Sequence, residues 1–221
     1  MIIGTIHSPG SLASALRLRS GELDLVELRV DAFADNPGSL LRAAPRLKVP
    51  CVVTVRHPAE GGAHDLGLAR RRALYLQFLP HAAYLDVELR SVTKLRAVLE
   101  TARASGVKVI LSSHDFRRTP TVAQFQQRIR LAHRAGADVC KLAAHVHQAA
   151  DLGRLLALFA THPPLPLSVM GMGPYGKMSR LLFARVGSAL NYGYLHRPNA
   201  SGQWEARVLK ARVSELNTEE S

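Results

Sequence analysis

The stretch Ala137-Asp138-Val139-Cys140-Lys141-Leu142-Ala143-Ala144 is a short apolar run with one lysine in its middle. Before it, residues 121–135 carry a helical period that stops at Gly136; after it, residues 148–160 carry another. A run of this length between two helices reads as a strand of a βα unit, buried on both faces. Lys141 is the anomaly. Burying an ammonium costs several kcal/mol unless it is paired or neutralised. Many lysines near strand ends simply reach solvent or a carboxylate. A desolvated amine, however, is also what a nucleophile requires.

The same alternation extends outward in both directions. Strands are expected over 1–6, 24–31, 50–56, 84–89, 108–113, 138–143, 165–172 and 189–194. Helices are expected over 12–19, 39–47, 68–79, 92–104, 121–135, 148–160, 177–186 and 203–216, with a frayed end over the last five residues. Eight regular βα units imply a parallel sheet with right-handed crossovers, closed as a (β/α)8 TIM barrel. The expectation is an α/β chain folded as a single domain over 1–221, starting at its first strand with no added N-terminal hairpin. An open doubly wound sheet would need a phosphate loop after strand 1, and Ile6-His7-Ser8-Pro9-Gly10 is not one.

Side chains alternate faces along a strand. Glu27, Arg29 and Asp31 therefore share one face, as do Thr54 and Arg56, Asp86 and Glu88, Ser112 and His114, and Met170 and Met172. Lys141 shares its face with Val139 and Ala143, while Cys140 and Leu142 lie opposite. Five consecutive strands thus place ionisable groups on the inward face near their C-terminal ends, where barrel active sites lie. The signs balance: Glu27, Glu60, Asp86 and Glu88 against Arg29, Arg56 and Lys141.

Bulk composition narrows the class. The 221 residues are 47% hydrophobic, enough for a sizeable core. No run approaches the roughly 20 apolar residues of a membrane span, and the start lacks a signal-peptide pattern, so a cytoplasmic protein is expected. Cys51 and Cys140 have no metal-type spacing and are expected to point into packing. The net charge of +12 raises the question of nucleic acid. The basic residues are dispersed over helix faces, Arg70 to Arg72 among them, and aromatics are only 5%, so no nucleic-acid partner is expected. His145 and His147 read as a solvated pair past a strand end. No metal is expected.

An inward lysine, a histidine one strand away and flanking arginines suit one chemistry. An amine condenses with a ketone, and the cationic nitrogen acidifies the neighbouring C–H. An imidazole removes that proton, and arginine holds a carboxylate. This describes a carbonyl-substrate lyase, either a dehydratase or an aldolase. A non-enzymatic basic binding module is the alternative that the charge suggests.

Several motifs, in order, resemble the type I 3-dehydroquinate dehydratase family of the shikimate pathway. They are Glu27-Leu28-Arg29-Val30-Asp31, Thr54-Val55-Arg56 with Glu60-Gly61-Gly62, Asp86-Val87-Glu88, and Ser112-Ser113-His114-Asp115-Phe116. Lys141, Met172-Gly173 with Gly176 and Ser179-Arg180, and Asn199-Ala200-Ser201-Gly202-Gln203 complete the set, so the resemblance spans nearly the whole chain. It implies syn elimination of water from 3-dehydroquinate through an imine, with no metal or organic cofactor. By position Lys141 matches the Schiff-base lysine, His114 the general acid/base, Glu60 the carboxylate that orients it, and Arg180 the arginine for the substrate carboxylate. Glu27, Arg29, Arg56, Ala200 and Gln203 match contacts to substrate hydroxyls and the surrounding loops. Met170, Met172 and Tyr192 match the pocket wall. The loop over 195–202 looks like a lid. Asn199 and Ser201 stand where many members have serine and proline, and Thr5, a further substrate contact, where members often have serine. The family expectation for assembly is a homodimer.

Overall fold

The computed structural model describes residues 1–218, with side chains through Leu216; the end expected to fray lies, over 219–221, outside them. Its strands are β1 (Ile2–Ile6), β2 (Leu25–Arg29), β3 (Cys51–Thr54), β4 (Ala82–Glu88), β5 (Lys108–Asp115), β6 (Val139–His145), β7 (Leu167–Met172) and β8 (Asn191–Tyr194). Between and after them run α1 (Pro9–Leu16), α2 (Pro37–Ala43), α3 (Leu68–Phe78), α4 (Arg96–Ala104), α5 (Val122–Arg134), α6 (Ala149–Leu156), α7 (Gly176–Arg185) and α8 (Ala206–Thr218). The eight strands form one sheet in the order β7-β6-β5-β4-β3-β2-β1-β8, and every ladder is parallel. This is the expected TIM barrel. β7 and β8 face each other across a seam without a ladder. Single bonds stitch it: Ala189 N–H to Leu167 O at 2.7 Å and Ser168 Oγ to Leu190 O at 2.6 Å.

Local chemistry sets the element ends. α5 begins with a reciprocal capping box between Thr121 and Gln124, and its chain turns at Gly136 with φ +71°, a conformation that favours glycine. α1 starts at Pro9, earlier than the periodicity predicts, because Ser8 and Ser11 form a second capping box. β2 stops at Arg29, two residues short of expectation. The Asp31 carboxylate accepts from the Arg29 guanidinium and from the backbone N–H groups of Arg56 and Ala63, which curls the chain out of the sheet. β5 and β6 run longer than expected, so His114 and His145 are both strand residues.

The two faces of the strands bury different chemistry. Leu28, Val53, Val87, Leu111 and Leu142 pack outward against helix residues such as Leu74, Phe78, Phe125 and Ala132. Each such side chain contributes about 1.5–3 kcal/mol when fully buried. Inward, Ile3, Leu25, Val52, Ile110, Val139 and Leu190 form an apolar plug with Tyr84. Each plug residue precedes by two positions in the chain one of Thr5, Glu27, Thr54, Asp86, Ser112, Lys141 and Tyr192. The period of two therefore seals the barrel floor with hydrocarbon and stacks a polar layer directly above it.

Candidate active site

Lys141 sits in the middle of β6 and is 3% exposed. Its Nζ donates to Asp86 Oδ2 at 2.9 Å and to Glu27 Oε1 at 3.4 Å. The Nζ also lies 3.8 Å from the centroid of the Tyr192 ring. Two carboxylates thus offset the desolvation of the ammonium. Asp86 also accepts a bidentate pair from Arg56, at 3.2 and 3.0 Å, and a bond from Ser112 Oγ. Burial disfavours its charged form, but Arg56 and then Lys141 outweigh that and hold the carboxyl below its ordinary range. Glu27 is held by Thr5 Oγ1 and Thr54 Oγ1.

His114, near the end of β5, is oriented by Glu60. Glu60 Oε2 accepts from the His114 backbone N–H at 2.9 Å and lies 3.0 Å from Nδ1. Burial, then Arg56 and Lys141, depress the imidazole pKa well below its ordinary value, so the ring is neutral at physiological pH. An ionised Glu60 fixes the proton on Nδ1 and leaves Nε2 as the acceptor nitrogen. Burial pushes the Glu60 carboxyl up to about 7; Arg56 opposes the rise and Glu88 adds to it. Arg90, on the loop after β4, faces the other oxygen, with Nε 4.0 Å from Oε1.

A pH dependence follows with a definite sign. A carboxyl whose pKa is raised to about 7 is ionised above that pH and protonated below it. Protonated Glu60 can donate to Nδ1 and reverse the imidazole tautomer. The turnover rate of the catalysed reaction should fall by about tenfold per pH unit below about 7. Arg90→Gln should move this limb upward by a few tenths to about one unit, since Arg90 is half-exposed and its charge is screened. A pH–rate profile for both proteins checks this; an identical limb in the variant would remove Arg90 from the account.

Arg180, from α7, is 2% exposed. Its Nε donates to Tyr192 O at 3.1 Å, and Nη1 lies within 2.9 Å of Gly171 O, Gly176 O and Gly202 O. These carbonyls belong to β7, β8, the first residue of α7 and the mouth loop, so one guanidinium spans the seam of the barrel. Burial alone, with no carboxylate to oppose it, lowers its pKa to about 10. Its Nη2 meets no protein acceptor among the described residues. Arg56, Arg71 and Lys141 pair with Glu27, Asp86 and Glu88 inside the barrel. Arg180, by contrast, has no carboxylate partner among the described residues.

The loop over 195–203 is seated on the mouth. Gln203 Oε1 accepts the N–H groups of Asn199 and Ala200 at 3.0 and 3.3 Å, and Ser201 Oγ accepts the Gly173 N–H at 3.0 Å. Gly202, at φ +72°, lies so close to Gly176 that a Cβ on it would stand 2.6 Å from the Gly176 Cα.

The residues that the resemblance assigns to the site, Thr5, Glu27, Arg29, Arg56, Glu60, His114, Lys141, Met170, Met172, Arg180, Tyr192, Asn199, Ala200 and Gln203, all reach one cavity at the C-terminal end of the barrel. Gly61, Phe116 and Ala143 join its wall. Phe116 stacks beside the His114 ring at 6.3 Å between centroids, and Gly61 O accepts from Arg29. Glu88 differs from expectation. Its oxygens are taken by Arg56, Arg71, Ser91 and the His57 N–H, so it braces the wall from behind. Arg71 also departs from the solvated basic run around it, being 2% exposed and bonded to Val55 O and Glu88. The alternation in Asp86-Val87-Glu88 turns Asp86 inward, and the fold shows that Lys141 is the partner it takes there, with Arg56. Among the described residues no group of three or more His, Cys, Asp or Glu could hold a metal ion, and no helix is long and apolar enough to cross a membrane.

A model of the type I 3-dehydroquinase family matches residues 9–219. A 3-dehydroquinate dehydratase of Pyrococcus abyssi is 34% identical over 211 residues, covering 95% of each chain. One from Methanocella arvoryzae is 34% identical over 203 residues, covering 91% of this chain and 90% of its own. The crystal structure of 3-dehydroquinate dehydratase from Geobacillus kaustophilus superposes with a TM-score of 0.89 at 26% identity, over 100% of this chain and 92% of that one. The type I enzyme from Clostridium difficile, solved with covalent modified comenic acid, gives 0.87 at 27% identity, over 97% and 91%. The chain belongs to the type I 3-dehydroquinase family of hydro-lyases.

Proposed function

We propose that this chain removes water from 3-dehydroquinate to give 3-dehydroshikimate, in the shikimate pathway, through an imine on Lys141. The observation that carries the reading is a buried amine in the same cavity as a buried guanidinium that lacks a counter-ion among the described residues. That cavity suits a small molecule with one ketone and one carboxylate. Arg180 binds the carboxylate, and the amine of Lys141 adds to the ketone and expels its oxygen as water. The iminium nitrogen then draws electrons from the adjacent C–H bond. His114 Nε2 takes that proton and returns it to the hydroxyl departing from the neighbouring carbon, which leaves as a second water on the same face. Hydrolysis of the conjugated imine consumes one water and frees Lys141. Glu27, Arg29, Arg56 and Gln203 contact the substrate hydroxyls, with Thr5 and the 199–200 backbone beside them. Met170, Met172 and Tyr192 shape the wall, and the seated loop excludes water. The whole barrel acts as one catalytic unit in this reading, with no metal or organic cofactor. A cytoplasmic homodimer is the matching setting.

Borohydride with 3-dehydroquinate tests the reading. A reduced ligand adduct is expected on the peptide that contains Lys141, together with growth of enone absorbance in the untreated reaction. An aldolase on the same barrel would give the adduct with its own substrate and no enone from 3-dehydroquinate. Arg180→Lys should raise KM by about 10–100-fold, the range for losing a charge-assisted hydrogen bond. Initial-rate kinetics check this; an unchanged KM would place the carboxylate elsewhere.

A further inference from the structure

The ring of Tyr192 lies against the amine, and its fit is unusual for a packing residue. The side chain is 2% exposed, and Nζ of Lys141 stands 3.8 Å from the ring centroid, well inside the roughly 6 Å reach of a cation–π contact. Its hydroxyl is buried without a hydrogen-bond partner among the described residues. Hydrogen bonding of the phenol therefore does not hold the ring where it is. The contact that Tyr192 makes with the amine is through the face of its ring.

The reaction supplies that task, granting the imine reading above. An ammonium has three N–H donors. The iminium formed from it keeps the full positive charge but has one N–H. Of the two carboxylates now bonded to Nζ, Asp86 at 2.9 Å and Glu27 at 3.4 Å, at most one keeps a linear bond. Both are also committed elsewhere: Asp86 to Arg56 and Ser112, Glu27 to Thr5 and Thr54. The face of an aromatic ring attracts a cation without needing an N–H, so its contribution survives when the donors are lost.

We propose that the π face of Tyr192 is a catalytic group that stabilises the positive charge of the Lys141 iminium. Proton abstraction neutralises the iminium to an enamine, departure of the hydroxyl regenerates the charge on a conjugated iminium, and the ring favours the cationic states on either side of that neutral enamine. Electron density on the ring, not the phenol oxygen, is the property that matters.

Replacing Tyr192 by phenylalanine and then by mono-, di- and trifluorophenylalanine drains the ring face in steps while nearly preserving its shape. Borohydride-trapped adduct at a fixed time and single-turnover rate are read across the series, with unfolding temperature as a check on folding. The expected result is a monotonic fall in trapped adduct, reaching about tenfold below Tyr192→Phe at the trifluoro end. Tyr192→Leu should fall at least as far. Adduct in every variant with a flat series would overturn the role of the ring. Absence of adduct in the unsubstituted protein would overturn the imine reading instead.

Discussion

Lys141→Arg should abolish turnover of 3-dehydroquinate, by on the order of 10⁴–10⁶-fold, while leaving the barrel folded. The magnitude is that of removing the nucleophile from an enzyme whose chemistry runs through a covalent intermediate. Arginine is the informative replacement. The amine pairs with Asp86 and Glu27, so alanine would leave two buried carboxylates short of a cation. Breaking a buried pair in that way costs about 3–5 kcal/mol, and lost activity could then reflect lost structure. A guanidinium keeps the charge but is delocalised and stays protonated, so it cannot add to a ketone. Enone absorbance, borohydride adduct and thermal unfolding together check the prediction. Residual turnover within about a hundredfold of the parent would mean that the lysine only positions substrate and that dehydration proceeds by direct proton abstraction.

Most of the inner wall could be read in the sequence because strand alternation carries it. Once Glu27, Asp86 and Lys141 fall on the face of their strands that does not pack on helices, closure of the barrel forces them together across sequence separations as large as 114 residues. The period of two also explains the floor. It puts Leu25, Tyr84 and Val139 one pleat below those three residues, so the floor is packed with apolar side chains. What alternation could not show is which partner each charge selects. Glu88 is on the inward face by sequence, yet Arg71 reaches in from α3 and claims it at 2.5 Å. Arg71 lies in a run of three arginines, and helical spacing alone cannot single out the buried one. Arg90 escapes for a different reason: its proximity to Glu60 is set by two loops with no periodicity.

Arg180 shows the same division between chemistry and placement. Its motif predicts an anion-binding arginine, but only the fold reveals that the same group closes the seam between β7 and β8 and holds Gly202 of the mouth loop. Binding of a carboxylate at Nη2 would therefore bear on a residue that already ties the loop to the barrel. Substrate capture and loop seating share one guanidinium.

His114→Ala should lower kcat by about 10²–10⁴-fold, the usual contribution of a positioned acid–base group. The loss should fall mainly on the proton-transfer step, because Lys141 and Arg180 remain in place to form the imine. A borohydride adduct on Lys141 should therefore still be trapped, at long incubation, from a protein that barely turns over. The pH profile separates a chemical role from a structural one. Glu60 contacts the reaction through His114, from one oxygen that serves both the backbone N–H and Nδ1. Without the imidazole, ionisation of Glu60 no longer sets a tautomer. The limb at about pH 7 should vanish from the residual activity of His114→Ala, whereas Arg90→Gln should merely displace it. The neutral state of the ring, enforced by burial and by Arg56 and Lys141, gives the same expectation from the other side: His114 itself does not titrate in this range. If the limb persists in His114→Ala, Glu60 acts on the substrate directly, and the base must be sought in Glu60 rather than in the imidazole.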